Sequence, residues 1–193
     1  AIKPIHDVCK IKRINVCTYQ AVSGSGSLAI EELKDQVHAY TNNKDIKSNV
    51  YPKQIAFNVI PQIDKFMDNG YTKEEMKMVW ETKKILDNSI EVNPTTVRVP
   101  VFYGHSEAVH LELAEKITAT KVKNILMDNS NDVVLIDEHK DGGYPCAANE
   151  CEDSNDVFVG RVREDISTPN GINLWVVSNN IRKGAAYNSV QIA

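Results

Sequence analysis

Val157-Phe158-Val159-Gly160-Arg161-Val162-Arg163 and Ile172-Asn173-Leu174-Trp175-Val176-Val177-Ser178 are separated by Thr168-Pro169-Asn170-Gly171. Both runs are rich in β-branched residues and alternate apolar with polar side chains, and the Pro-Asn-Gly between them is turn chemistry. They therefore read as paired antiparallel strands. Upstream, Val109, Leu111 and Leu113 alternate with His110 and Glu112. That period of two belongs to a half-buried strand, because successive side chains point to opposite faces of a sheet. Further strands are predicted over residues 14–22, 97–103 and 132–137; Pro100 demands a bulge or an unpaired N–H in the second.

Helical spacing occurs elsewhere. Residues 28–40 follow the turn Ser23-Gly24-Ser25-Gly26-Ser27, which is expected to be flexible, with Leu33 and Val37 on the buried stripe. A second helix begins at Thr72, where Thr72 and Glu75 have the spacing of a capping box. Met76, Val79, Trp80 and Lys83 are predicted to share its inner face, with Asn88 beyond its end. Residues 120–127 and 181–192 complete the helical segments. Strands and helices in this order predict an α+β domain: a mixed, largely antiparallel sheet with helices on one face.

The 193 residues suffice for one substantial core, and no repeat or low-complexity linker divides them. Hydrophobic residues make up 42% and charged residues 25%, ordinary proportions for a globular chain, so disorder is excluded. The formal net charge of −4 gives no broad attraction to nucleic acid or anionic membranes. No apolar run approaches the ~20 residues of a membrane span. Cys9, Cys17, Cys146 and Cys151 match no finger spacing, so free thiols in a reducing cytoplasm are expected and no metal site.

Six segments carry a resemblance. In order they are Thr18-Tyr19-Gln20-Ala21-Val22-Ser23-Gly24, Asn58-Val59-Ile60-Pro61-Gln62-Ile63-Asp64, Glu81-Thr82-Lys83-Lys84-Ile85, residues 98–105, Val159-Gly160-Arg161-Val162-Arg163, and Asn170-Gly171-Ile172-Asn173-Leu174-Trp175 through Asn180-Ile181-Arg182-Lys183-Gly184-Ala185-Ala186. Together they resemble the aspartate-semialdehyde dehydrogenase family over nearly the whole chain. The implied fold is that of the C-terminal domain of semialdehyde and glyceraldehyde-3-phosphate dehydrogenases. The implied reaction is the NADP-dependent interconversion of L-aspartyl-4-phosphate and L-aspartate 4-semialdehyde plus phosphate, in lysine, threonine and methionine biosynthesis.

The family also has a dinucleotide-binding domain and a nucleophilic cysteine in an Asn-Pro-Asn-Cys-like motif. Neither motif occurs here, and the Ser-Gly repeat at 23–27 has neither P-loop nor GxGxxG spacing. Residues 1–10 resemble the family segment that lies a few helical turns downstream of that cysteine. The resemblance therefore implies a substrate-binding, catalytic and dimerisation domain over residues 1–178. Residues 179–193 would form a helix packed on the dinucleotide-binding domain, in a homodimer or tetramer.

The resemblance also implies residue roles. His105 matches the acid/base, for which an imidazole suits both proton uptake and delivery. Arg98 matches the grip on the substrate α-carboxylate, where a planar fork pairs bidentately. Glu81 and Lys84 match residues near the substrate amino group and phosphate, with Lys83 the alternative if the register slips. Without the resemblance they are a solvated helix pair worth about 0.2–0.5 kcal/mol. Gln20 matches a residue positioning the acyl intermediate. Ser23 and Gly24 match the nicotinamide end, and Asn180, or Asn179 one place earlier, matches the residue holding the carboxamide. Two other readings stay open: the related N-acetyl-glutamyl-phosphate reductase, and a non-catalytic subunit-association module.

Overall fold

The computed structural model describes residues 1–129 and 133–193. Six strands form one sheet in the order β2-β1-β3-β6-β5-β4. They are β1 (Ile11–Gln20), β2 (Glu91–Arg98), β3 (His105–Leu113), β4 (Val133–Leu135), β5 (Val157–Glu164) and β6 (Gly171–Ser178). The pairs β1/β3, β3/β6 and β5/β6 are antiparallel; β1/β2 and β4/β5 are parallel. The sheet is thus mixed and largely antiparallel, and β5 and β6 pair as their sequences predict.

The alternation in β1, β3 and β6 decides which face is covered. Ile14, Val16, Val109, Leu111, Leu113, Ile172, Leu174 and Val176 point to one side. There they meet Ile5 from helix α1 (Lys3–Cys9) and Val122, Ile125 and Leu126 from α4 (Ala119–Asn129). Met78 of α3 (Lys73–Ile85) packs at the margin. On the other face Ala147 of the four-residue α5 (Ala147–Glu150) and Cys151 beyond it meet Phe158 and Val177. Leu111 is fully buried at the centre of the larger cluster. Leu111→Ala is therefore expected to cost about 2–5 kcal/mol, and melting of the purified variant should fall by roughly 5–15 °C.

Several boundaries differ from expectation. The strand predicted at 97–103 is not observed there: residues 99–103 are loop, and only residues 97 and 98 belong to a strand, β2, which runs Glu91–Arg98 and ends before Pro100. Pro94 sits inside β2 without penalty because β2 is an edge strand and its missing N–H faces no neighbour. The predicted strand at 132–137 is observed as β4, and Asp132 lies outside the described residues. The turn at 23–27 is a 3₁₀ turn, Val22–Ser25, rather than a free loop. Val22 N–H and Ser23 N–H donate to the carbonyls of Val101 and Phe102. A helix α2 (Ser27–Thr41) follows, with Leu33 buried.

Helix α3 starts at the capping box of Thr72 and Glu75, both of whose hydrogen bonds are present. Its inner face is shifted from the one predicted: Met78 and, just past the helix end, Leu86 pack on the core, Met76, Val79 and Lys83 are half-buried, and Trp80 is 49% exposed. Glu75 is the reason for this rotation. Its carboxylate accepts from Thr72 N–H and also from Thr96 N–H of β2, which turns positions 75, 78 and 82 toward the sheet. The chain ends in a π-helical turn, Arg182–Ala186, and α6 (Tyr187–Ile192).

Candidate active site

Strand register gathers the predicted residues at one end of the sheet. Gln20 and Arg98 are partners at the C-terminal ends of the parallel pair β1/β2. Antiparallel β3 begins beside them, since Ser106 pairs with Tyr19. His105 pairs in turn with Ser178, the last residue of β6, directly before Asn179-Asn180. Thus four strand ends bring Gln20, Arg98, His105 and Asn180 together from widely separated sequence positions.

Arg98 is buried, and its Nη1 donates to the Ala21 carbonyl at 2.8 Å. Its Nε is buried without a hydrogen-bond partner, and among the described residues it makes no ion pair. Burial disfavours the charge on this guanidinium, and Tyr51 and Glu74 oppose that effect. A desolvated cation with an unused N–H is an anion-binding group, because leaving either unmatched costs free energy.

His105 Nδ1 accepts the Ala21 N–H at 3.0 Å. The neutral ring therefore carries its proton on Nε2. Burial, reinforced by the Arg98 charge, lowers its pKa from 6.5 to about 4. The imidazole is neutral at physiological pH. Gly24 explains how these groups approach each other. A Cβ there would lie 3.0 Å from Arg98 Nη1 and 3.6 Å from His105 Nε2, so a side chain would crowd the guanidinium and sit in contact with the ring.

Asn180 ties three segments together: its Oδ1 accepts from Gly104 N–H, and its side chain is hydrogen-bonded to Ser23 Oγ. Asn179 instead holds the backbone, donating to the carbonyls of Cys151 and Glu152 and accepting from Ile181 and Arg182. This separates the two candidates: Asn180 reaches the site and Asn179 fixes the chain behind it. Gly104, just before His105, has φ +84°, and a Cβ there would collide with the Cys151 sulfur. Only glycine meets both demands.

Glu81 and Lys84 are exposed and are not brought into this cluster; neighbouring Lys83 pairs with Glu91 at 3.7 Å. The carboxylate that does arrive is Glu74, one heptad earlier. Gln20 Nε2 donates to Glu74 Oε1 at 3.4 Å, and the Glu74 charge acts on both Arg98 and His105. Glu74 in turn pairs with Lys77 at 3.4 Å. Within α3 the pattern Glu-x-x-Lys occurs twice, at 74–77 and 81–84, so the first of these copies could have been found in the sequence. Seven residues amount to about 10.5 Å of helix, enough to carry the second copy away from the strand ends.

The four cysteines are all free. Cys151 lies close to Gly104, but burial raises its pKa to about 11 and its thiol donates to the Ala147 carbonyl. It is not poised as a thiolate.

The family model described as semialdehyde dehydrogenase, dimerisation domain, matches residues 2–183. The chain belongs to this family. Within it, the chain is 60% identical to the aspartate-semialdehyde dehydrogenase of Shewanella violacea over 194 residues, covering 100% of this chain and 56% of that protein. The Legionella pneumophila aspartate-semialdehyde dehydrogenase is 57% identical with the same coverage. A crystal structure of aspartate semialdehyde dehydrogenase II from Vibrio cholerae, complexed with ASA, superposes with a TM-score of 0.95 at 54% identity. That match covers 99% of this chain and 56% of that one. The semialdehyde dehydrogenase dimerisation domain described here thus spans about half the length of these relatives. No helix among its described residues is long and apolar enough to cross a membrane.

Proposed function

We propose that this chain is the substrate-binding, acid–base and self-associating portion of an aspartate-semialdehyde dehydrogenase. The reaction is the NADP-dependent interconversion of L-aspartyl-4-phosphate and L-aspartate 4-semialdehyde plus phosphate. The observation that carries this reading is the buried guanidinium of Arg98, whose Nε has no hydrogen-bond partner among the described residues, beside the neutral imidazole of His105. One group suits a carboxylate and the other suits an oxygen whose charge changes during reaction.

In the reductive direction a thiolate from the dinucleotide-binding side attacks the acyl carbon of the acyl phosphate, a C–S bond forms, and phosphate leaves with the electrons of the broken acyl C–O bond. When bound, the nucleotide supplies hydride to the resulting thioester. Collapse of the hemithioacetal oxyanion then releases aldehyde and thiolate. Arg98 grips the α-carboxylate, and Glu74, in place of Glu81, receives the substrate ammonium. Lys77, in place of Lys84, lies toward the phosphate. Gln20, held by Thr18 Oγ1 and Glu74, steadies the acyl group.

His105 acts first as a donor. With Nδ1 occupied by the Ala21 N–H, Nε2–H is free to hydrogen-bond the acyl oxygen and the oxyanion that forms from it. Taking the thiol proton requires a ring whose Nε2 is bare, so the imidazole must turn over or release Ala21 between the two duties.

The nicotinamide end fits in part: Gly24 leaves open backbone beside His105, with Ser23 and Asn180 adjacent. Residues 179–193 pack on the dinucleotide-binding domain, where Val190 and Ile192, both exposed in this span, find cover. The opposite face of the sheet serves the homodimer.

The full-length protein should reduce NADP in a phosphate-dependent manner with L-aspartate 4-semialdehyde. Activity with N-acetylglutamate semialdehyde instead would transfer the reading to the related reductase, and activity with neither would leave only subunit association. Within the site, Glu74→Gln is expected to raise the semialdehyde KM about tenfold or more, as loss of a charge-assisted contact does. Glu81→Gln should change it less than twofold, the usual indifference of an exposed side chain. The reverse ranking would restore Glu81 to the site.

A further inference from the structure

Segment 42–60 has almost no regular structure, yet it ends against Arg98. Ile60 and Arg98 exchange both backbone hydrogen bonds, at 2.9 and 2.8 Å. Tyr51 packs with Val22, Ile55 and Ile60 in a small satellite core, and its hydroxyl lies 3.5 Å from the Val22 carbonyl. The position of Arg98 therefore depends on what holds an irregular segment in place.

Two buried polar side chains of α2, one turn apart, do this. Glu32 is 6% exposed, and its carboxylate accepts the N–H groups of Asn49, Val50 and Tyr51 at 2.6, 2.5 and 3.2 Å. Gln36 is 1% exposed and accepts from Ile55 and Ala56 while donating to the Lys47 carbonyl and Ser48 Oγ. Six of these seven contacts satisfy backbone groups that the segment cannot satisfy itself. In a helix otherwise exposed on its polar side, two buried acceptors need such a reason.

We infer that Glu32 and Gln36 form a staple that positions Arg98 through Tyr51 and Ile60, and so are positioning residues for the carboxylate grip. The inference rests on the function proposed above. A staple that sets the guanidinium by fractions of an ångström acts on substrate geometry rather than on the chemistry of the reacting atoms.

Glu32→Gln in the full-length enzyme keeps the volume and one acceptor oxygen but sets an NH2 against at least one N–H of residues 49–51. Gln36→Glu keeps acceptance from Ile55 and Ala56 and turns an oxygen toward the Lys47 carbonyl, loosening the other end independently. In each variant, hydrogen exchange in peptides covering residues 47–60 and 96–99 should quicken at least about fivefold. The semialdehyde KM should rise about tenfold, with kcat and the NADP KM held within about twofold. In the Arg98→Lys background the same substitution should add less than about twofold, because both changes act through one group.

Unchanged exchange in both variants would overturn the staple. Faster exchange with an unmoved semialdehyde KM, or full additivity with Arg98→Lys, would overturn its action through Arg98. The functional reading fails on different evidence: a semialdehyde KM unmoved by Arg98→Lys alone.

Discussion

His105→Ala in the full-length enzyme is expected to lower kcat by about two to four orders of magnitude, the range for a positioned proton-transfer group. The nucleotide KM should stay near its original value, since on the proposed reading most of the nucleotide's contacts belong to the dinucleotide-binding domain and not to this ring. A distinctive companion effect lies in stability. The native imidazole binds a proton only near pH 4, whereas an unfolded histidine does so near 6.5. The unfolded state therefore takes up more protons across that window, and the neutral native ring favours folding fully above about 6.5. This contribution is lost as pH falls through the window. The loss reaches on the order of 2–3 kcal/mol at the lower end. Denaturant titrations between pH 7 and 4 should show the wild-type slope steeper than that of His105→Ala. For the same reason the free enzyme should show no kinetic limb near pH 6.5 attributable to this residue. A kcat reduction below tenfold in a folded variant would remove His105 from the chemistry.

The parts of the fold that were legible in sequence are those where one physical demand acts alone. β5 and β6 need only alternation and a turn, and Thr72 with Glu75 needs only two side chains and two N–H groups. The strand end carrying Arg98 and His105 was legible through its motif, and register then explains why six intervening residues return the chain to the same place. Where two demands compete, the sequence misleads. Pro94 argues against a strand until β2 is known to be an edge. The inner face of α3 follows the double use of the Glu75 carboxylate rather than the apolar residues Val79 and Trp80. Glu74 and Glu81 are equivalent in local pattern, and only the tertiary position of the helix start separates them. Glu32 and Gln36 look like solvent-facing helix residues because the backbone groups they satisfy lie up to 20 positions away.

Arg98→Lys is the sharpest test of the remaining assignment. Arg98 already spends Nη1 on the Ala21 carbonyl, and the rest of its fork is left for a ligand. Lysine keeps the charge but has a single nitrogen, so holding Ala21 and binding a carboxylate bidentately become incompatible. Loss of one charge-assisted hydrogen bond is worth about 1.5–3 kcal/mol, which converts to a semialdehyde KM raised roughly 10- to 100-fold. Nucleotide affinity should not follow, because the substituted group serves only the carboxylate. The outcome also separates charge from shape: Arg98→Met should abolish saturation with semialdehyde altogether, since a buried carboxylate would then face no cation. Steady-state kinetics with each substrate varied read both effects. If Lys supports the same semialdehyde KM as Arg, the buried fork is a structural tie to Ala21, and the carboxylate must be bound elsewhere.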